Sequence, residues 1–185
     1  MRNHGSFSGN PKTEWLVDEN GADRDMQLIE EFWYLDSDGR KWLAPKGSII
    51  NGASIPRPLW ATVGSPYTDD YRRASIVHDI ACGDPSVDRK EADVMFYRAS
   101  LAGGCSVLQA KMLYAGVRIG AWASSALAPN ALSRSRLLFR VPFRSVADEQ
   151  FVQNKFQELA GELQTLDDDA SISEMDAVID RHIKF

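Results

Sequence analysis

The feature that most constrains this chain is a polar pair set into two apolar helical stripes between Thr68 and Gly104. After a Thr68-Asp-Asp-Tyr71 opening, Tyr71, Ala74, Val77, His78 and Ala81 recur at helical spacing, and Gly83 supplies a left-handed stop. Asp88-Arg-Lys-Glu91 opens a second helix with Glu at the capping-box position. Ala92, Met95, Phe96 and Ala99 form its stripe, and Gly103-Gly104 ends it. The short Gly-Asp-Pro-Ser link predicts an antiparallel hairpin, in which positions equidistant from the turn face each other. Asp93 lies one turn before Phe96 on the apolar side, where a carboxylate is costly unless paired, and His78, the only internal histidine, faces it. His78 and Asp93 thus have the form of a base and its orienting acid. A satisfied buried polar contact has the same form, and both readings stand at this point. The register also sets Cys82 near Arg89 and Cys105 beyond the far end of the first helix, so the two cysteines are not expected to pair. Cys82 is one turn from His78 on the same helix and has no separate activating base, which makes it a weak candidate nucleophile.

A 185-residue chain with 44% hydrophobic residues and five Trp can bury one good core. The net charge of −5 argues against nucleic acid as a partner. No apolar run reaches the length of a membrane span, and Met1-Arg-Asn-His-Gly-Ser has no signal-peptide character, so cytoplasmic synthesis is expected. Residues 14–17, 26–35 and 41–44 read as strands of one small antiparallel sheet, with Asp36-Ser-Asp-Gly39 as a hairpin turn. Pro45 to Pro56 is a loop carrying Asn51-Gly52, a dipeptide that readily takes positive φ and can line a site. Ser106 caps a third helix reaching about Ala126, on which Tyr114 and Arg118 are one turn apart and within reach of a carboxylate such as Asp79 or Asp93.

Together these elements predict an α+β fold: a small N-terminal antiparallel sheet packed on a three-helix core that contains the hairpin, all within residues 1–130. Residues 131–146 form a basic apolar connector, with Arg134, Arg136, Arg140 and Arg144 among Leu and Phe, suited to an anionic or lipid surface or simply to an exposed link. Residues 147–185 read as an acidic tail of two amphipathic helices, with Val152, Phe156, Leu159 and Leu163 on one and Met175, Val178, Ile179 and Ile183 on the other. Such stripes can fold back on the body, mediate self-association or dock on a protein partner.

Asn51-Gly-Ala-Ser-Ile-Pro56, Trp60, Ala74-Ser-Ile-Val-His-Asp79 and Arg89-Lys-Glu-Ala-Asp93 with Phe96 resemble, in order and spacing, the phage- and prophage-associated family called domain of unknown function 1353. The constellation is more distantly similar to bacterial members of the phospholipase A2 class. That second resemblance implies His78 as general base, Asp93 as its orienting acid, Asn51-Gly52-Ala53-Ser54 as a calcium loop and Asp79 as the metal carboxylate. Asn51 stands where that pattern has Asp, and Ile80-Ala-Cys82 lacks the Tyr that follows the His-Asp pair in both families.

Two functions follow as expectations. One is a phospholipase A2-like or esterase-like hydrolase that activates water at His78, with calcium as cofactor and a lipid or cell-envelope substrate, as in a phage-encoded or secreted effector exported without a signal peptide. The other is a non-catalytic phage-derived assembly or interaction module that keeps the hairpin for stability and docks through its tail. A His-Asp phosphohydrolase is disfavoured, because His4 and His182 lie in the two termini and leave one internal histidine.

Overall fold

The computed structural model describes residues 3–17, 25–52, 55–64, 70–127 and 146–184. Thr68 and Ser54 therefore lie outside the described residues, as does the expected connector apart from Val146. The fold is α+β, and the chain divides into two compact units: Met1–Ala53 with Tyr67–Cys105, and Ser54–Pro66 with Ser106–Phe185. The third predicted helix thus groups with the tail.

The first unit carries two three-stranded antiparallel sheets where the sequence suggested one. Strands β1 (Ser6–Phe7), β4 (Phe32–Leu35) and β5 (Lys41–Ala44) form one; β2 (Thr13–Trp15), β3 (Met26–Leu28) and β6 (Ile49–Ile50) form the other, in the orders β1-β4-β5 and β2-β3-β6. The run from Met26 to Leu35 breaks at Glu30 and Glu31, both exposed, because two successive carboxylates cannot continue a strand with one buried face. Phe32, Tyr34, Trp42 and Ala44 point inward and Leu35, Lys41 and Leu43 outward, the alternation of a half-buried sheet. The β4–β5 turn holds a buried carboxylate. Asp36 Oδ1 accepts from the amides of Asp38 and Arg40, each at 2.9 Å, and Oδ2 accepts from Trp42 Nε1 at 3.1 Å. Asp36 is tolerated at 7% exposure because its oxygens meet these donors.

Two helices complete the unit. One is α2 (Arg72–Gly83), which packs on β4, β5 and β6; the short helix α1 (Trp60–Val63) precedes it in sequence and belongs to the second unit. The other is α3 (Arg89–Gly103), antiparallel to α2 across the Asp84–Asp88 link. Asp88 caps α3, its Oδ1 accepting from Lys90 N at 2.9 Å and Glu91 N at 3.2 Å. Only half of the anticipated capping box is seen there, for the Glu91 carboxylate pairs with Arg40 at 3.0 Å. Gly83 differs from expectation too. It ends α2 without positive φ, and the exit runs through Asp84 in extended conformation. At the end of α3, Gly104 does take the left-handed cap at φ 116°, and Gly103 is required by space, since a Cβ there would lie 2.2 Å from the Asp70 carbonyl oxygen.

In the second unit α4 (Val107–Leu127) carries the buried stripe Ala110, Leu113, Tyr114 and Val117, with Ser106 Oγ accepting from Gln109 N at its start. It packs on α5 (Val146–Gln164), which in turn packs on α6 (Ile172–His182). The eight tail positions expected to form apolar stripes are all buried, so the tail helices are part of this unit's core. Ser171 and Glu174 form a reciprocal capping box at the start of α6. Lys111, at 1% exposure, donates from Nζ to the carbonyls of Leu166 and Asp167, both at 2.8 Å, and closes the chain after α5. Among the described residues no helix is long and apolar enough to cross a membrane.

Candidate functional site

Because α2 and α3 run antiparallel from a short link, residues at equal distances from that link meet. His78 and Asp93 do so: His78 Nε2 is 2.8 Å from Asp93 Oδ1, and both side chains are fully buried. Cys82 and Arg89, one helical turn nearer the link, complete the layer. Cys82 Sγ lies 3.4 Å from the same Nε2, and Arg89 Nε donates to the same Asp93 Oδ1 at 3.0 Å. Phe96 covers the imidazole, with ring centroids 4.7 Å apart and planes tilted by 36°. Sequence reasoning placed Arg89 near Cys82 but missed it as a second partner of Asp93. The signal was present in the four-residue step from Arg89 to Asp93 on one helix.

The geometry fixes the chemistry of the ring. An ionised Asp93 at Nε2 holds the proton on that nitrogen and leaves Nδ1 as the lone-pair acceptor. Nδ1 is buried and has no hydrogen-bond partner among the described residues. Burial lowers the His78 pKa below the ordinary histidine value, against the opposing pull of Asp93, so the imidazole is neutral at pH 7. Burial works against the charge of the half-buried Arg89, but attraction to Asp93, Cys82 and Asp79 together with the Asp93 hydrogen bond outweighs it and raises the Arg89 pKa. Cys82 cannot serve as the nucleophile of a triad through this ring, because a relay needs nucleophile and acid on opposite nitrogens and here both meet Nε2.

Asp79, next to His78 on α2, points the other way, as the angular step of about 100° per residue requires. Its Oδ2 accepts from Asn51 N at 2.6 Å and its carboxylate also receives the Gly52 amide. Burial raises its pKa to about 7, and those amide bonds only partly oppose the shift. Calcium asks for six to eight oxygen ligands. The loop turns N–H groups toward Asp79, and the Asn51 side-chain oxygen is buried and without a hydrogen-bond partner among the described residues. As arranged, the amides of Asn51 and Gly52 hold the Asp79 carboxylate; Ser54, the other residue of the expected calcium set, lies outside the described residues. Tyr114 and Arg118 lie on α4 in the second unit, and the Tyr114 hydroxyl donates to Asp176 Oδ1 at 2.6 Å.

Comparison with known proteins finds uncharacterised relatives. The chain is 32% identical over 111 residues to uncharacterized protein y4jT of Sinorhizobium fredii, covering 60% of this chain and 32% of that protein. It is 38% identical over 102 residues to uncharacterized protein y4iH of the same organism, covering 55% and 43% respectively. The chain thus spans less than half the length of these curated relatives. No solved structure matches it. The model of the family described as protein of unknown function (DUF1353) matches residues 26–117, which hold both sheets' central strands and the whole His78–Asp93 hairpin, and through that segment the chain belongs to the DUF1353 family.

Proposed function

We propose that the hairpin houses a water-activating base and that the protein hydrolyses an ester bond, in the manner of a phospholipase A2 or a simple carboxylic esterase. One observation carries this reading: His78 Nε2 is paired with Asp93 Oδ1 at 2.8 Å, while Nδ1 is buried and without a hydrogen-bond partner among the described residues. Water bound at Nδ1 gives up its proton to that nitrogen as its oxygen attacks the ester carbonyl. The imidazolium so formed is stabilised by Asp93, and the proton passes on to the leaving alkoxide. Arg89 positions Asp93 and moderates its charge. No covalent intermediate is required, and no step is routed through calcium. His78 is fully buried, so reaction requires the packing over Nδ1 to open toward substrate.

That same burial favours the second reading, a non-catalytic phage-derived assembly or interaction module in which the cluster only ties α2 to α3. One assay separates them. Mixed-phospholipid vesicles and a soluble aryl ester are incubated with the wild type, His78→Gln and Asp93→Asn, each with calcium and with a chelator. Circular dichroism and thermal melts verify the fold. Hydrolysis by the wild type that falls by about a hundredfold or more in folded His78→Gln supports the hydrolase. Absence of turnover on every ester, or equal turnover in the variant, removes it. Dependence on calcium would place that ion back in the site; chelator-resistant turnover agrees with the amide-held Asp79.

A further inference from the structure

We infer that His78, Cys82 and Asp93 form a site for a thiophilic divalent transition metal of the zinc class. Three different side chains of the types that bind such ions bring one atom each into a single cluster: Nε2, Sγ and Oδ1 all lie within 4.8 Å of one another. The scaffold for it is rigid. His78 and Cys82 are four residues apart on one face of α2, and Asp93 comes from the antiparallel helix, itself anchored by the Asp88 cap at its start. Around a tetrahedral zinc, ligand atoms sit about 3.3 to 3.7 Å apart, a consequence of bond lengths near 2.0 to 2.3 Å. Sγ and Nε2 are already 3.4 Å apart, and Nε2 and Oδ1, at 2.8 Å, need to open by somewhat more than half an ångström. The clustering that rules out a nucleophilic triad is what a metal ion requires: ligand atoms of three side chains gathered within one small volume. Arg89 on the same Asp93 oxygen stands as the outer partner that orients a ligand carboxylate, and its charge tempers the affinity. A soft ligand among the three selects zinc or cobalt over calcium and magnesium.

The proton balance is definite. The cation takes the Nε2 lone pair, so the ring proton moves to Nδ1, while the Cys82 thiol proton is released to solvent and Asp93 stays ionised. Metal occupancy and base catalysis then exclude each other, because Nδ1 no longer offers a lone pair. This corollary rests on the proposed hydrolase; the metal site itself does not, and its spectroscopic test needs no substrate.

The test is a cobalt(II) titration of the full chain, reduced and freed of metal, followed by absorption and then by displacement with zinc. The expected result is one high-affinity equivalent, with tetrahedral visible bands and an ultraviolet sulfur-to-cobalt charge-transfer band that zinc abolishes. Cys82→Ser, a conservative change at a half-buried position, loses the charge-transfer band and binds more than about tenfold more weakly, whereas Cys105→Ser retains both properties. Absence of the band in the wild type overturns the site, and so does its survival in Cys82→Ser, which would place any bound ion elsewhere. If the ester assay gives turnover, zinc at the concentration that fills the cobalt site abolishes it; undiminished turnover with the site filled overturns the exclusion.

Discussion

Replacing Asp79 by Asn isolates the most perturbed carboxyl group beside the site. Asp79 is 7% exposed, and burial raises its pKa from 3.8 to about 7 despite the amides of Asn51 and Gly52. Ionising it is therefore harder in the native protein than in the unfolded chain by about 4 kcal/mol. The native state holds this proton more tightly. The resulting stabilisation is fully present below about pH 4, declines by about 1.4 kcal/mol per pH unit as pH rises, and is lost above about pH 7. An amide side chain accepts from the same N–H groups and does not titrate. The stability of Asp79→Asn relative to wild type should thus grow by about 4 kcal/mol between about pH 4 and pH 8, or by about half that where the loop relaxes around the ionised carboxylate. His78 works in the opposite direction. Its pKa is lowered by burial, so its contribution is present above about 6.5 and is lost as pH falls toward the native value. In the wild type the two groups work against each other as pH falls below about 6.5; the variant removes the carboxyl contribution, leaves that of the histidine and loses stability on acidification. Urea unfolding of both proteins across this range measures the difference, in which all other titrating groups cancel. A difference that does not change with pH would refute the argument, since Asp79 would then titrate alike in folded and unfolded chains.

Arg89→Met removes the cation that lowers the His78 pKa, so the imidazole titration followed by NMR should move upward; an unchanged or lower value would mean that Arg89 does not act on the ring. Gly103→Ala forces a Cβ toward the Asp70 carbonyl at 2.2 Å and should destabilise the protein by about 1 to 3 kcal/mol in denaturant titration. Lys111→Met strips the donor from the carbonyls of Leu166 and Asp167, with an expected loss of about 1 to 3 kcal/mol and faster hydrogen exchange at the end of α5. Ser171→Ala breaks the α6 capping box and should cost about 1 kcal/mol, read from the thermal midpoint.

The sequence by itself determined the helices and the central pairing. Helical spacing of apolar residues, the openings at Asp88 and Ser106 and the end of α3 at Gly103-Gly104 are local properties, and local properties are written in consecutive residues, although the left-handed stop expected at Gly83 is taken at Gly104 instead. The His78–Asp93 contact was legible for a related reason: a short link between two helices leaves one antiparallel register, and a carboxylate on an apolar face needs a partner. Tertiary structure decided what local signals leave degenerate. Division of the strands between two sheets depends on which distant strand each one pairs with, as when β1 joins β4 and β2 joins β3, and no residue within a strand specifies that choice. Tyr114 had a reachable carboxylate in more than one direction, and packing of α4 with the tail assigned it to Asp176. The loop at Asn51 could have offered carbonyls or amides to Asp79, and the backbone path after β6 chose amides. Above all, the convergence of Cys82, His78 and Asp93 at one nitrogen required the sub-ångström register of two packed helices, because sequence spacing places residues on faces while only packing brings their atoms to a point.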